Sequence, residues 1–252
     1  MRVKVLSSGS KGNTTYIEYN GTKILIDIGN SCRYVTDKLG EMGIKGSEID
    51  AILITHTHVD HIKGLKVFLK KNNPVLYVTR GMLDELDYIT NYKIIDSNSF
   101  SFKNLSIDVI RTSHDAPDPV GYIINGGDSS VVYITDTGYI NNRYFELLYN
   151  RNLYIMESNH DIEMLNNCSY PFKVRQRILG DKGHLSNYDS SRYLSLFIGD
   201  NTKYIVLAHL SEENNTCELA YDTLKERLND SNKNVDKIII AKQDEETELI
   251  EV

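Results

Sequence analysis

The segment that most constrains this chain is Ala51-Ile52-Leu53-Ile54-Thr55-His56-Thr57-His58-Val59-Asp60-His61. Four apolar residues of buried-strand type run directly into three histidines and an aspartate. Alternate side chains of an extended backbone point the same way, so His56 and His58 can converge on one ion. Asp60 and His61 fall where the chain turns into a helical pattern over 62–71, and can face a neighbouring position. Imidazoles and a carboxylate together suit Zn, Mn or Fe, whereas Mg and Ca favour all-oxygen sites. The competing reading is a polar strand-to-helix turn with surface histidines. The chain has only seven histidines, however, and exposed ones have no reason to gather behind a buried strand.

Other polar residues also close apolar runs. Asp27 ends the run 24–26, His114 follows 106–112, Asp136 follows 131–134, and His209 follows 204–208. Each alone reads as an ordinary turn residue; with the His56–His61 segment they form a set, because strand ends are where a rigid scaffold holds a cleft. Short β-branched runs recur throughout, at 3–6, 16–19, 24–28, 51–54, 75–78, 106–110, 121–124, 131–134, 153–156, 204–207 and 237–241. Asn20-Gly21 marks a hairpin, and 125–128 a second turn between strands. Helical patterns cover 32–42, 62–71, 82–88, 141–149, 188–197 and 217–228. The opening is all strand, and helices and strands do not alternate regularly, which disfavours a doubly wound sheet or a (β/α)₈ barrel. The expected fold class is α/β of the α+β type: two packed sheets with helices outside, forming a single domain over 1–252.

Composition bounds the setting. No apolar leader and no run long enough to span a bilayer is present, so no membrane partner is expected. Three scattered cysteines, Cys32, Cys168 and Cys217, form no metal-type spacing or disulfide framework, which points to the cytoplasm. A net charge of −7 counts against a coat protein for nucleic acid but not against a nuclease, whose metals supply positive charge.

The pattern T-H-x-H-x-D-H, with an Asp after an early strand and His, Asp and His at later strand ends, resembles the metallo-β-lactamase superfamily. The resemblance covers nearly the whole chain and implies a four-layer αββα sandwich. It implies two divalent metal ions, Zn or Mn first and Fe as an alternative. His56, His58 and His114 would hold one ion and Asp60, His61 and His209 the other, with Asp136 bridging them and Asp27 steadying the ligand loop from behind. The bridging position is Asp where many true β-lactamases have Cys, which sets antibiotic hydrolysis aside. Within the superfamily the chain is most similar to the YycJ/WalJ group, described as 5′–3′ exonucleases on double-stranded DNA. Ser7–Asn13, Glu157–Asp161, Gly183–Asn187 and Leu207–Ser211 carry that likeness.

The resemblance thus implies phosphodiester hydrolysis by a hydroxide shared between the ions, with DNA ahead of RNA as substrate. The expected catalytic residues are Asp60, Asp136, His184 and Glu157, the last two being an acid–histidine pair that steadies the phosphate. Ser10, Lys11, Asn13, His160 and His184 are the expected substrate contacts. Lys173, Arg175, Arg177 and Lys182 make a basic stretch leading into Gly183-His184, either a solvated helix face or a backbone-binding element. Two other readings stand beside this one: a small-molecule phosphodiesterase or thioesterase of the same fold, and a non-catalytic metal-binding module that docks on DNA or protein. Oligomeric state is open between monomer and homodimer.

Overall fold

Alternation of apolar side chains decides how the strands are used. The computed structural model describes residues 1–252. In chain order its first half gives β1 (Arg2–Ser7), β2 (Thr14–Tyr19), β3 (Thr22–Ile26), α1 (Cys32–Glu41), β4 (Ala51–Leu53), α2 (Val59–Ile62), α3 (Leu65–Lys71), β5 (Val75–Thr79), β6 (Tyr92–Ile95), β7 (Ser99–Phe102) and β8 (Leu105–Arg111). The second half gives β9 (Val120–Gly126), β10 (Ser129–Ile134), α4 (Phe145–Leu148), β11 (Leu153–Glu157), α5 (Ile162–Asn167), α6 (Phe172–Leu179), α7 (Asn187–Phe197), β12 (Tyr204–Ala208), α8 (Cys217–Asp230), β13 (Lys237–Ile240) and β14 (Ile250–Glu251). They form two seven-stranded sheets, ordered β14-β1-β2-β3-β4-β5-β6 and β13-β12-β11-β10-β9-β8-β7.

In the second sheet Val131, Tyr133, Leu153, Ile155 and Val206 face the first sheet, sharing a core with Val3, Val5, Ile26 and Leu53. Their neighbours Val132, Ile134, Tyr154, Met156, Ile205 and Leu207 face the other way, onto Leu194 and Phe197 of α7 and Leu224 of α8. On the far side of the first sheet, Val35 and Leu39 of α1 and Phe68 of α3 cover it. Helices therefore flank both sheets, giving the four layers expected. No helix is long and apolar enough to cross a membrane.

Strand direction gathers the loops that matter. β3 to β6 are mutually parallel, as are β10 to β13, while β9 runs antiparallel to both β8 and β10. β8 thus points the same way as β10, and the C-terminal ends of β8, β10, β11 and β12 open on one edge. The two sheets are stitched together there. The Tyr122 hydroxyl donates to the Ile54 carbonyl at 2.5 Å, and Val120 N–H donates to Thr55 O at 2.9 Å.

Some expected helices differ in form. The pattern over 62–71 is broken at Gly64, where a Cβ would lie 2.3 Å from the Asn30 carbonyl oxygen, and α2 starts earlier, at Val59. Arg80–Glu85 is a 3₁₀ turn, and 141–149 divides into a 3₁₀ turn and α4. The short helices α5 and α6 are absent from the expectation; none of the residues of α6 is buried.

One close approach locks the loop after β4. Asn13 N–H donates to Asp60 O at 2.8 Å, and Gly29 N–H to Asn13 O at 2.9 Å. A Cβ on Gly29 would fall 1.7 Å from Asp60 O and 2.4 Å from Asn13 N. Gly29→Ala is expected to force these strands apart and cost about 1–3 kcal/mol, read as a lower urea midpoint; a wild-type midpoint would show that the loop gives way freely.

Candidate metal centre

The side chains singled out above meet at the common edge. Asp27 follows β3, the segment 54–61 follows β4, His114 lies beyond β8, Asp136 beyond β10, and His209 follows β12; Glu157 is the last residue of β11. Asp27, Asp136 and His209 take left-handed backbone angles, φ 60°, 55° and 57°. Such a residue stops a strand abruptly and turns its side chain aside, at a cost on the order of 1 kcal/mol each. The cleft they bound has a volume of about 250 Å³ and is lined by His58, Asp60, His114, Asp136, His184 and His209, among others.

Hydrogen bonds fix which nitrogen of each ring faces inward. His61 Nδ1 lies 2.7 Å from Asp27 Oδ2, so it carries the proton. Asp27 also accepts from Thr55 N–H (2.8 Å) and from the Thr55 hydroxyl (2.7 Å). With its only proton on Asp27, Thr55 Oγ accepts from His56 Nδ1 at 3.1 Å. His114 Nδ1 donates to Gly183 O at 3.2 Å, and His209 Nδ1 to Glu157 Oε1 at 2.9 Å. Each of these four rings therefore turns Nε2 toward the interior of the site. His58 is reversed: its Nδ1 sits 3.2 Å from His114 Nε2, while its Nε2 lies 3.8 Å from Asp115 Oδ1.

The donors fall into compact groups. His56, His58 and His114 form one and Asp60, His61 and His209 another, each with ligand atoms within 4.8 Å of one another. Asp136 lies between them, Oδ2 being 3.2 Å from His61 Nε2 and Oδ1 3.6 Å and 3.8 Å from Nε2 of His209 and His114. Whether these residues suit cations is tested by what they leave unmet. His56 Nε2, His209 Nε2 and Asp136 Oδ2 are buried with no hydrogen-bond partner. Buried polar atoms are rarely left so, and three that converge from separate strands fit a bound cation.

Charge supports the same fit. Burial opposes ionisation of Glu157, yet His184 and His209 outweigh it and hold the carboxyl down at about 2. Asp60 and Asp136 are likewise held below the carboxylate range, neighbouring imidazoles prevailing over burial. Burial works against a charged His209, but Asp136, Asp60 and Glu157 lift it to about 10; His61 is raised for the same kind of reason by Asp136 and Asp27. Burial pushes His56 and His114 down, leaving them neutral. Carboxylates thus outnumber the positive charge near His61 and His209, and protons stand where a cation would.

The expected secondary residues divide. His184 lines the cleft and places Nδ1 2.8 Å from Glu157 Oε1. Glu157 has no exposed surface; it also accepts from Thr137 N–H (3.1 Å) and Leu185 N–H (3.0 Å), and so reaches a substrate only through His184. Ser10 lines the cleft, whereas Lys11 turns its ammonium to Glu212 at 2.6 Å and Asp244 at 3.5 Å. Asn13 and His160, expected to touch substrate, are 0% and 1% exposed and have no surface to offer it. The amide of Asn13 instead donates to Asp60 Oδ2 at 3.2 Å, holding that carboxylate from behind. Asp115, not anticipated from sequence, lines the cleft and lies 3.4 Å from His114 Nε2. Its position directly after His114 was the available signal.

A fold of two helix-flanked sheets carrying this donor set at one edge defines a class, and sequence comparison agrees. Residues 22–206 match the model of the beta-lactamase superfamily domain. The chain belongs to that superfamily and is a metal-dependent hydrolase with the metallo-β-lactamase fold. Within it, the chain belongs to the family of two curated relatives. It is 38% identical over 236 residues to exodeoxyribonuclease WalJ of Streptococcus pneumoniae, covering 90% of this chain and 88% of the relative. It is 35% identical over 227 residues to exodeoxyribonuclease YycJ of Bacillus anthracis, covering 87% and 86%. Among solved structures, the metallo-β-lactamase fold protein YhfI from Bacillus subtilis superposes with a TM-score of 0.73 at 17% identity, over 98% of this chain and 99% of that one, a likeness of fold.

The raised His209 sets the sign of a pH effect. Below about pH 10 its ring carries a proton that must leave before the nitrogen can bind a cation. Metal affinity is therefore expected to strengthen as pH rises, about tenfold per unit for each proton displaced. Calorimetric titration of Zn or Mn into the metal-stripped protein, in buffers of different ionisation enthalpy, should register proton release on binding. No release at neutral pH would contradict this.

Proposed function

We propose that the chain is a dinuclear-metal phosphodiesterase that degrades double-stranded DNA from the 5′ end, acting in the cytoplasm. One observation carries the reading: two adjacent three-donor groups flank Asp136, in a chain 38% identical to a named exodeoxyribonuclease over 90% of its length. In this reading His56, His58 and His114 would hold one ion and Asp60, His61 and His209 the other, with Asp136 available to both. Zn or Mn suits that mixture of imidazole and carboxylate. Ions held there would polarise phosphoryl oxygens and acidify water.

The protein's own part is positioning and proton handling. Burial opposes a charged His184, but the Glu157 carboxylate prevails and raises its pKa. An imidazolium donating Nδ1–H to Glu157 keeps Nε2–H for the cleft, where it steadies a phosphate oxygen or protonates the departing one. Glu157 acts through His184 and His209 rather than on the substrate. Asp60 or Asp136 accepts the proton of the attacking water. Ser10, on the rim, offers a hydroxyl to the strand.

The test is digestion of end-labelled duplex and single-stranded DNA and RNA with Mn, Zn or Mg supplied, and with chelator. Release of nucleotides from the 5′ end of duplex DNA, abolished by chelator, is expected; preference for RNA, or for cyclic nucleotides offered alongside, would replace the reading. Asp136→Ala should lose turnover together with bound metal. His184→Ala should keep metal and lose about 10²–10⁴-fold in kcat; full activity would remove His184 from the mechanism.

A further inference from the structure

Helix α6 is unlike the other α-helices in having no buried residue. Phe172 is 67% exposed and Leu179 40%. An eight-residue helix does not hold itself together in water, and here the C-terminal end is what is fastened. His184 N–H donates to Ile178 O at 3.0 Å. Gly138, two residues past Asp136, passes so close that a Cβ there would lie 2.3 Å from Asp181 O. Arg177 Nε meets Asp115 at 2.5 Å. The helix is thus clamped to the rim of the metal centre and projects from it, with Val174, Arg177, Ile178 and Lys182 along the cleft.

Its charge opposes that of the rest of the molecule. Residues 172–182 carry Lys173, Arg175, Arg177 and Lys182 against the single acid Asp181, in a chain whose net charge is −7. Arg175 is engaged with the Asn166 carbonyl and Arg177 with Asp115 through Nε, whereas Lys173 and Lys182 are exposed. Lys173 and Arg177 are four residues apart and share a helix face.

We infer that α6 is the arm by which the enzyme grips its substrate strand: Lys173, Lys182 and the terminal nitrogens of Arg177 hold the phosphate backbone of a nucleic acid whose end lies in the cleft, and Phe172 presents its ring to a base unpaired at that end. The inference rests on the nuclease reading above. Eight helical residues span about 12 Å, the rise of roughly three or four nucleotides along one strand. An acidic surface repels a polyanion, so a basic arm continuous with a cation-binding cleft gives the strand one favourable path. An exposed aromatic ring stacks on any base, as a sequence-tolerant enzyme requires.

The test compares wild type, K173Q/R177Q/K182Q, K173Q and F172A as metal-loaded proteins. Fluorescence anisotropy follows binding to a labelled duplex with phosphorothioate end linkages, from about 50 to about 200 mM salt. The triple variant should bind at least about tenfold more weakly at low salt, with the slope of log affinity against log salt reduced by about one per charge removed. K173Q, whose side chain does not line the cleft, should show about a third of that change in slope. F172A should weaken binding at least about fivefold and leave the slope intact. Wild-type affinity and slope in the triple variant would overturn the assignment, as would a wild type that binds anionic vesicles but not the duplex. Arm-dependent binding without any cleavage of the unmodified duplex would sink the nuclease reading alone; cleavage of it with arm-independent affinity would sink the arm alone.

Discussion

A carboxylate without exposed surface is stable only when its lone pairs are claimed, and this cleft is built around two of them. Asp27 accepts from Thr55 twice and from His61; Glu157 accepts from His184, His209, Thr137 and Leu185. Loss of any one partner leaves a buried lone pair unmet, at a cost of about 1–3 kcal/mol. The first carboxylate serves the loop after β4 in one sheet, the second the ends of β10, β11 and β12 in the other. Neither half of the donor set can relax without disturbing a buried ion, so the rings are held in position before any cation arrives.

The sandwich supplies the rest. Parallel strands deliver their C-terminal ends to one edge, and the hydrogen bonds from Tyr122 and Val120 to Ile54 and Thr55 keep the two sheets from sliding apart there. The imidazoles of His56, His61, His114 and His209 point inward because their outer nitrogens are already engaged. Orientation is thus inherited from a backbone carbonyl, a threonine and the two buried acids.

Much of this centre is legible in the sequence for a physical reason. The segment Ala51–His61 joins an apolar strand to a dense run of ligand-type side chains, and that combination has few other uses. Strands show themselves through β-branched runs, and the hairpin at Asn20-Gly21 appears in its two-residue form, with Tyr19 opposite Thr22. What stays hidden is whatever depends on long-range packing. Asn13 sits in a Gly- and Ser-rich stretch that reads as a solvated loop, yet it is covered completely because Gly29 and Asp60 close over it. His160 reads as a polar helix-start residue and is instead buried beside the parallel bridge from its own backbone to Ser186. Helix α6 is short and buries no residue, so little in the sequence separates it from the loops beside it. The second partnership of Glu157, with His209, joins residues 52 positions apart, and no local pattern reports that.

The left-handed backbone at Asp27, Asp136 and His209 has a consequence for how such a centre drifts. That conformation is tolerated chiefly by Gly, Asn, Asp and His, so main-chain geometry filters substitutions at these three places before chemistry does. The side chains that pass the filter are mostly ones that coordinate or hydrogen-bond. Mutational paths away from the present centre therefore lead first to altered ion preference or to a bare glycine, and only at a conformational penalty to an apolar residue.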